Sequence, residues 1–311
     1  MTVYSEDRTP EAIRRPAVLV SWDGASLPLA LVQFDAHPEF DWILFDYTGR
    51  QAPGERTLRR QPVTVLAART ECKGEIYKHL ADHLADHLAS TASDPASGPW
   101  PEYVGVIDDD ILISVAQINT ALHLGRSERL DVFSPVLSHD SPYSHQWMRQ
   151  QPHKLYREVD WVEVMMPFYR GDLFMAARPY YQDNISSWGL DRFLIPTLQQ
   201  LRGQTRTALL DTVMASHRRP VTSGEKVYRN GRTAWQERQI LRQASLDLIA
   251  REAPGLVRSP WYHRTFVARE TPNKWIRWKR RAARAVTAWL DAAAWQRCSR
   301  SACSTNNSTR N

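Results

Sequence analysis

Short apolar runs closed by turn residues recur along the first two thirds of the chain, and each reads as a buried strand. Residues 17–22 (AVLVSW) end in Asp23-Gly24, and residues 41–47 (DWILFDY) close at Thr48-Gly49 in the same way. Residues 62–68 (PVTVLAA) form a third run, which leads through Lys73-Gly74 into a helical stretch ending near Ser90. Residues 91–101 (TASDPASGPWP) are a loop by composition. After them residues 103–107 (YVGVI) form a strand that runs straight into Asp108-Asp109-Asp110, with a helix predicted from about Ser114 to Leu124. Residues 131–135 and 161–168 read as two more strands. Strands alternating with helices of ordinary length predict an α/β fold, an open and mostly parallel sheet with flanking helices, whose ligands sit at the carboxyl ends of the strands.

The alternation stops past Pro220. Thr222-Ser223-Gly224 is a break, residues 233–251 have helical periodicity, and no further strand run follows. The pattern therefore divides the chain into an N-terminal extension (1–16), a catalytic-type domain (17–221), a helical extension (222–272), a basic helix (273–298) and a polar tail (299–311) expected to be disordered. In the basic helix a 100° step puts Trp275, Trp278, Ala282, Val286, Trp289 and Ala293 on one face and Arg277, Arg280, Arg281 and Arg284 on the other, with Trp295 off the pattern. Such a helix suits peripheral contact with an anionic membrane, or it packs back on the domain through its tryptophans.

Charge sharpens this division. Residues 273–311 hold nine Lys or Arg against the single acid Asp291, a net +8, so the other 272 residues sum to −2 of the chain's total of +6. The basic character belongs to one local surface for a polyanion, membrane or nucleic acid, and a nucleic-acid partner for the whole domain is not indicated. At 42% hydrophobic and 24% charged residues, with no apolar run near the roughly 20 residues that span a bilayer, the chain is not expected to be an integral membrane protein. Its first 16 residues mix acids with bases and lack the apolar core of a secretory signal, and Cys72, Cys298 and Cys303 form no CxxC pair. A cytoplasmic location follows as the expectation, with the inner face of the membrane as a place where the basic helix would dock.

The acid triplet 108–110 is the sharpest chemical feature. Three adjacent carboxylates at a strand end repel one another unless a cation neutralises them, and two at i and i+2 can hold a hard divalent ion together with the phosphates of a nucleotide. The alternative is a solvated acidic loop. Downstream come Trp161-Val162-Glu163-Val164-Met165-Met166-Pro167, then Trp188-Gly189-Leu190-Asp191, then Asp211 with His217 six residues beyond it. In carrying this ordered set across roughly residues 60–220, the chain resembles the domain-of-unknown-function 707 family, whose members look like type-A glycosyltransferases.

The resemblance implies a nucleotide-sugar site on a type-A-like fold. Asp108, Asp110 and His217 would hold Mn or Mg and with it the donor diphosphate; Asp109, Trp188 and Gly189 would lie beside the donor. Asp191, the acid after a W-G turn, would be the base of an inverting transfer to a hydroxyl acceptor, a glycan or a lipid-linked one. From position alone Lys73 is a candidate for the donor phosphates and Asp46 for the nucleotide base. Several alternatives stay open: Asp191 as the N-cap of a helix from Arg192, His217 as a surface residue beside Arg218 and Arg219, Glu163 as either a paired buried acid or an acceptor group, and Trp161 and Trp188 as acceptor or donor platforms or plain packing. A Gly-rich phosphate loop is absent, which argues against a dinucleotide enzyme or P-loop ATPase. The repeat His79, His83, His87 mimics a metal pair but accompanies a Leu80, Leu84, Leu88 stripe, so it reads as an ordinary amphipathic helix and stays outside the site. Two other function classes compete with transfer: a polyanion- or nucleic-acid-binding protein using the basic helix, and an inactive membrane-docked scaffold.

Overall fold

The computed structural model describes residues 12–26, 34–58, 60–91, 97–220 and 224–268. The basic helix and polar tail expected over 273–311, and most of the N-terminal extension, lie outside the described residues.

In chain order the strands and helices that frame the sheet are β1 (Ala12–Arg14), β2 (Ala17–Trp22), β3 (Asp41–Asp46), β4 (Gly54–Leu58), β5 (Gln61–Ala67), α1 (Lys73–Thr91), β6 (Ser97–Pro101), β7 (Tyr103–Ile107), β8 (Ile111–Leu112), α2 (Val115–Ser127) and β9 (Val132–Leu137). Then come β10 (Arg157–Glu158), β11 (Phe168–Arg170), α3 (Gly171–Ala176), α4 (Arg178–Tyr181), α5 (Ile195–Arg202), β12 (Thr207–His217) and α6 (Ala234–Glu252). One sheet carries the order β10-β12-β9-β11-β7-β2-β3-β5-β4, with β8 paired to β12. The pairs β7·β2, β2·β3, β3·β5 and β12·β9 are parallel, while β11 enters antiparallel between β9 and β7 and the edges β10 and β4 are antiparallel as well. The fold is thus the α/β class expected, a large and mostly parallel sheet with flanking helices.

Strands β2, β7 and β9 are buried along almost their whole length, which is why they read as mainly apolar runs, with the buried Ser21 and Ser134 inside them, rather than as alternating ones. Helix α1 lays Ile76, Tyr77, Leu80, Ala81 and Leu84 into the core, and the Tyr77 hydroxyl meets that of Tyr169 at 3.1 Å. Ser114 and Gln117 close a capping box at the start of α2, so the helix begins where the sequence predicted it.

Three expectations need correction. The strand expected over 161–168 is only Phe168–Arg170: the carbonyls of Met165 and Pro167 still accept the Asp108 and Val106 N–H groups, but Pro167 has no N–H to return and Lys73 also binds the Val164 and Met165 carbonyls, so no regular ladder forms before Phe168. The longest strand, β12, lies where no strand was expected; Asp211 sits inside it, and the register with β9 shifts between Leu210 and Met214, which broke the apolar run. The loop over 91–101 gives way to β6, which pairs with β1 in a small separate sheet, so the N-terminal extension also carries a strand.

The first compact unit ends at Trp261, and residues from Tyr262 belong to a second. Helix α6, expected in an extension beyond the domain, therefore belongs to the same unit as the sheet, packed on α5 and on a π-type turn over Leu190–Leu194. No described helix is long and apolar enough to cross a membrane.

Candidate functional site

The carboxyl ends of the parallel strands bring together Asp23, Asp46 with Tyr47, and Asp108 with its two neighbours. Each acid of the triplet meets a different cation. The Lys73 ammonium lies 2.6 Å from Asp108, the Arg219 guanidinium 3.0 Å from Asp109, and His217 Nε2 3.2 Å from Asp110. Asp109 also accepts the Tyr47 hydroxyl at 3.0 Å, and its backbone N–H donates to Ser21 Oγ. His217 arrives from 107 residues away because β12 pairs antiparallel with β8, setting His217 opposite Ile111, next to Asp110.

Electrostatics separates the three acids. Burial raises the Asp108 carboxyl to about 6 against the pull of Lys73. Burial also opposes the charge on Asp110, but the His217 bond outweighs it and holds the acid below its ordinary range. For His217 burial works against protonation, yet bonds to Asp110 and to the Pro142 carbonyl (Nδ1, 3.0 Å) raise its pKa. Asp110 Oδ1 is sealed from solvent with no partner among the described residues.

A second group of acids lies across from the triplet. Asp191 occupies the π-type turn behind Gly189, whose φ of 93° only glycine adopts freely; the cap position is Gly189, so Asp191 is not the N-cap considered above. Burial lifts Asp191 to about 6, moderated by the Arg192 backbone N–H and the charges of Arg238 and Arg192. Glu163 rises to about 7, again through burial, tempered by a Ser144 hydrogen bond and reinforced by the charges of Asp191 and Asp108. Its Oε2 is sealed and unpartnered among the described residues. Glu163 thus sits in a loop rather than a strand, within electrostatic reach of both Asp191 and the triplet. Trp161 packs edge-on against Trp147 (4.9 Å) and His145 (5.0 Å) beneath the Arg192 guanidinium, and Trp188 meets Trp235 edge-on at 5.0 Å while covering Gly224.

Glu163 fixes a pH dependence. A carboxyl whose folded pKa exceeds its unfolded value of 4.5 stabilises the fold fully below that value and loses the contribution as pH rises through about 7. Wild type should therefore lose on the order of 2–3 kcal/mol more than Glu163→Gln between pH 5 and pH 8. Urea unfolding of both proteins at the two pH values measures this, and parallel losses would mean that Glu163 ionises freely in the fold.

Two predicted donor contacts have other occupations. Asp46 is fully buried, and its oxygens accept four bonds from its own loop: Thr48 N and Oγ1, Arg50 N and Gln51 N, all at 2.7–2.8 Å. No acceptor capacity remains for a nucleotide base. Lys73 has three N–H donors, and Asp108 with the carbonyls of Val164 and Met165 takes all three, so it pins the 161–167 segment instead of reaching a phosphate. Arg219, 58% exposed, is the cation at the triplet that sequence reasoning passed over as a surface neighbour of His217. Glu237 and Gly74, which hold the 184–189 loop, were also missed; no local pattern marks either.

The residues fit a divalent ion in a narrower way than expected. Among the described residues no three His, Cys, Asp or Glu gather around one point, and Asp108 is taken by Lys73. Asp110 keeps one sealed free oxygen, whereas both His217 nitrogens are engaged, Nε2 on Asp110 and Nδ1 on the Pro142 carbonyl, so the imidazole can offer a lone pair only by giving up the Asp110 bond. A hard ion whose shell is completed by substrate phosphates and water needs no more than one or two protein ligands. What the described residues offer an ion that arrives with a diphosphate is thus the free Asp110 oxygen, with His217 beside it as a second ligand only where its bond to Asp110 opens.

No family model and no curated protein matches the chain. Among solved structures, S. aureus TarS 1-349 in complex with UDP-GlcNAc is similar at 12% identity with a TM-score of 0.48, over 77% of this chain and 67% of that one. The same protein in complex with UDP gives a TM-score of 0.44 at 12% identity, over 75% and 65%. A197 from STIV gives 0.37 at 12% identity, over 70% and 92%.

Proposed function

We propose that the chain is a glycosyltransferase that moves a sugar from a nucleotide-sugar donor to a hydroxyl acceptor. The observation that carries this reading is the pairing of two unlike acid sites at one sheet end: Asp110, ionised and joined to His217 with a free sealed oxygen, and Asp191 with Glu163, buried and raised toward neutrality. Glycosyl transfer needs both, positive charge for a departing diphosphate and a proton acceptor for the attacking hydroxyl. Asp110 would hold a Mn or Mg ion, joined by His217 where its bond to Asp110 opens, and the ion would supply charge neutralisation to the diphosphate. The exposed Arg219 guanidinium, oriented by Asp109, adds fixed positive charge at the same edge.

Asp191, with a pKa of about 6, is ionised at pH 7 and takes the proton of the acceptor hydroxyl. The hydroxyl oxygen bonds to the anomeric carbon as the bond to the diphosphate oxygen breaks, and the nucleoside diphosphate leaves with the electron pair. Attack from the face opposite the leaving group inverts the anomeric centre; a product that keeps the donor's configuration would remove Asp191 from this role.

Thermal shift with UDP-, GDP-, CMP- and dTDP-sugars, each with and without Mn, tests the reading. One nucleotide class is expected to stabilise the wild type, and Asp110→Asn is expected to bind it about 10–100-fold more weakly, the range for loss of a group that sets a metal site. Stabilisation by no donor would overturn the assignment.

A further inference from the structure

The amino-terminal ends of the same parallel strands, away from the acids, border a cavity of about 400 Å³. The first residues of β2, β3 and β5 form its floor, and His83 and His87 of α1 stand on its wall. The volume falls within the range of small-molecule sites.

Trp42 lines the cavity and is only 3% exposed, yet its indole N–H has no acceptor among the described residues. The ring itself is held firmly, stacked on Phe34 at 5.4 Å and 10° and tilted against Phe40 at 5.4 Å. A buried donor left unpaired is uncommon in native proteins and calls for a partner. The rest of the lining is two-natured. Phe40, Leu84, Pro38, Pro62 and Pro101 are apolar, while Arg14 and Arg15 bring positive charge. Of the acids, Asp41 is engaged by Arg15 at 3.4 Å and Glu55 accepts the Thr64 hydroxyl at 2.6 Å. His83 and His87 lie one turn apart with stacked rings 6.2 Å from centre to centre, and burial holds His83 toward its neutral form. The histidine repeat that the sequence left as an ordinary helix face thus forms part of a cavity wall.

We propose that this cavity is a second ligand site, for a small organic acid whose apolar body lies against Phe40 and Leu84 and whose carboxylate oxygen accepts the Trp42 N–H beside Arg14 and Arg15. The site is independent of the transferase reading, since none of its residues belongs to the acid cluster.

Benzoate, 1-naphthoate and 4-phenylbutyrate serve as probes on the full chain. In a ¹⁵N–¹H spectrum the indole signal missing from Trp42→Phe identifies Trp42, and at least one probe is expected to move that signal saturably, with a dissociation constant of about 1 mM or below for ligands of this size. Calorimetry should find that probe bound about 5–10-fold more weakly by Trp42→Phe, which keeps the ring and deletes the N–H. His87→Ala, at an exposed position, should also weaken it, while Asp110→Asn should leave it unchanged. If none of the three probes moves the Trp42 signal by 10-fold above about 1 mM, or if the variants at 42 and 87 bind as wild type does, the site does not exist as described.

Discussion

Gly74→Ala is expected to destabilise the protein by about 3–5 kcal/mol and to remove the response to donor from whatever remains folded. A Cβ at this position would stand 2.2 Å from the Asn184 carbonyl oxygen and 2.8 Å from both Asn184 Oδ1 and the Ile185 carbonyl oxygen. Two of these atoms are backbone, so no side-chain rotation relieves the overlap. The Gly74 N–H donates to the Ile185 carbonyl at 2.8 Å, and separating the two segments breaks that bond as well. Lys73 is the preceding residue, holding Asp108 and the carbonyls of Val164 and Met165, so a shift at the start of α1 reaches the acid triplet and the Glu163 loop together. Urea unfolding measures the stability, with the donor panel as the second reading. Gly255→Ala is the control: no atom lies within 4 Å of its added Cβ, and it should stay within about 0.5 kcal/mol of wild type. A Gly74→Ala protein as stable as that control would show that the contact between α1 and the 184–189 loop is loose.

Most of the strands that the sequence revealed, β2, β3, β7 and β9, are buried on both faces, where burial writes itself as a mainly apolar run; β5, buried at Val63 and Val65, showed itself by its β-branched residues. β12 escaped for the opposite reason. Its Asp211 is fully buried but paired with Arg157 Nε at 2.7 Å and with the Gln151 N–H at 2.6 Å, and a paired buried acid looks the same in sequence as an exposed one. The apolar run 161–167 looks like a strand since periodicity records burial and not regular pairing; Val162, Met165 and Met166 are buried in an irregular segment that bonds to Val106 and Asp108 through two carbonyls and to Lys73 through its ammonium. The acid triplet was legible as chemistry because adjacent like charges demand an explanation anywhere. Its counter-charges were not, since Lys73, His217 and Arg219 converge on it from two distant stretches of the chain, through a register that only the folded sheet defines. The same convergence separates the acids: spacing alone makes Asp108 and Asp110 equivalent, whereas Lys73 ties the first into an ion pair and the second, bonded to His217 through Oδ2, keeps Oδ1 without a partner among the described residues.

Glu237→Ala is expected to cost about 3–4 kcal/mol, with the melting temperature lower by roughly 10 °C. The residue is 1% exposed and comes from α6, in a segment that the sequence assigned beyond the catalytic domain. Its carboxylate accepts the Ser186 N–H at 2.7 Å, the Ile185 N–H at 3.1 Å and Asn230 Nδ2 at 2.7 Å. Truncation to alanine leaves two backbone donors buried without acceptors and opens space beneath the loop, and each stranded donor carries a penalty of about 1–3 kcal/mol. Glu237→Gln keeps the volume and one carbonyl oxygen but turns an NH₂ toward the N–H groups, so it should fall between alanine and wild type. The loop carries Ser187 at a positive φ of 67°, a conformation that a non-glycine residue keeps only when its surroundings hold it there, and Trp188, Gly189 and Asp191 follow directly. Loss of the Glu237 anchor should therefore weaken donor-induced stabilisation in addition to lowering the melting temperature, whereas a helix that merely covered the domain would lower the melting temperature alone. Chemical unfolding combined with the donor panel separates these outcomes, and an alanine variant within 1 kcal/mol of wild type would show that the loop keeps its shape without α6.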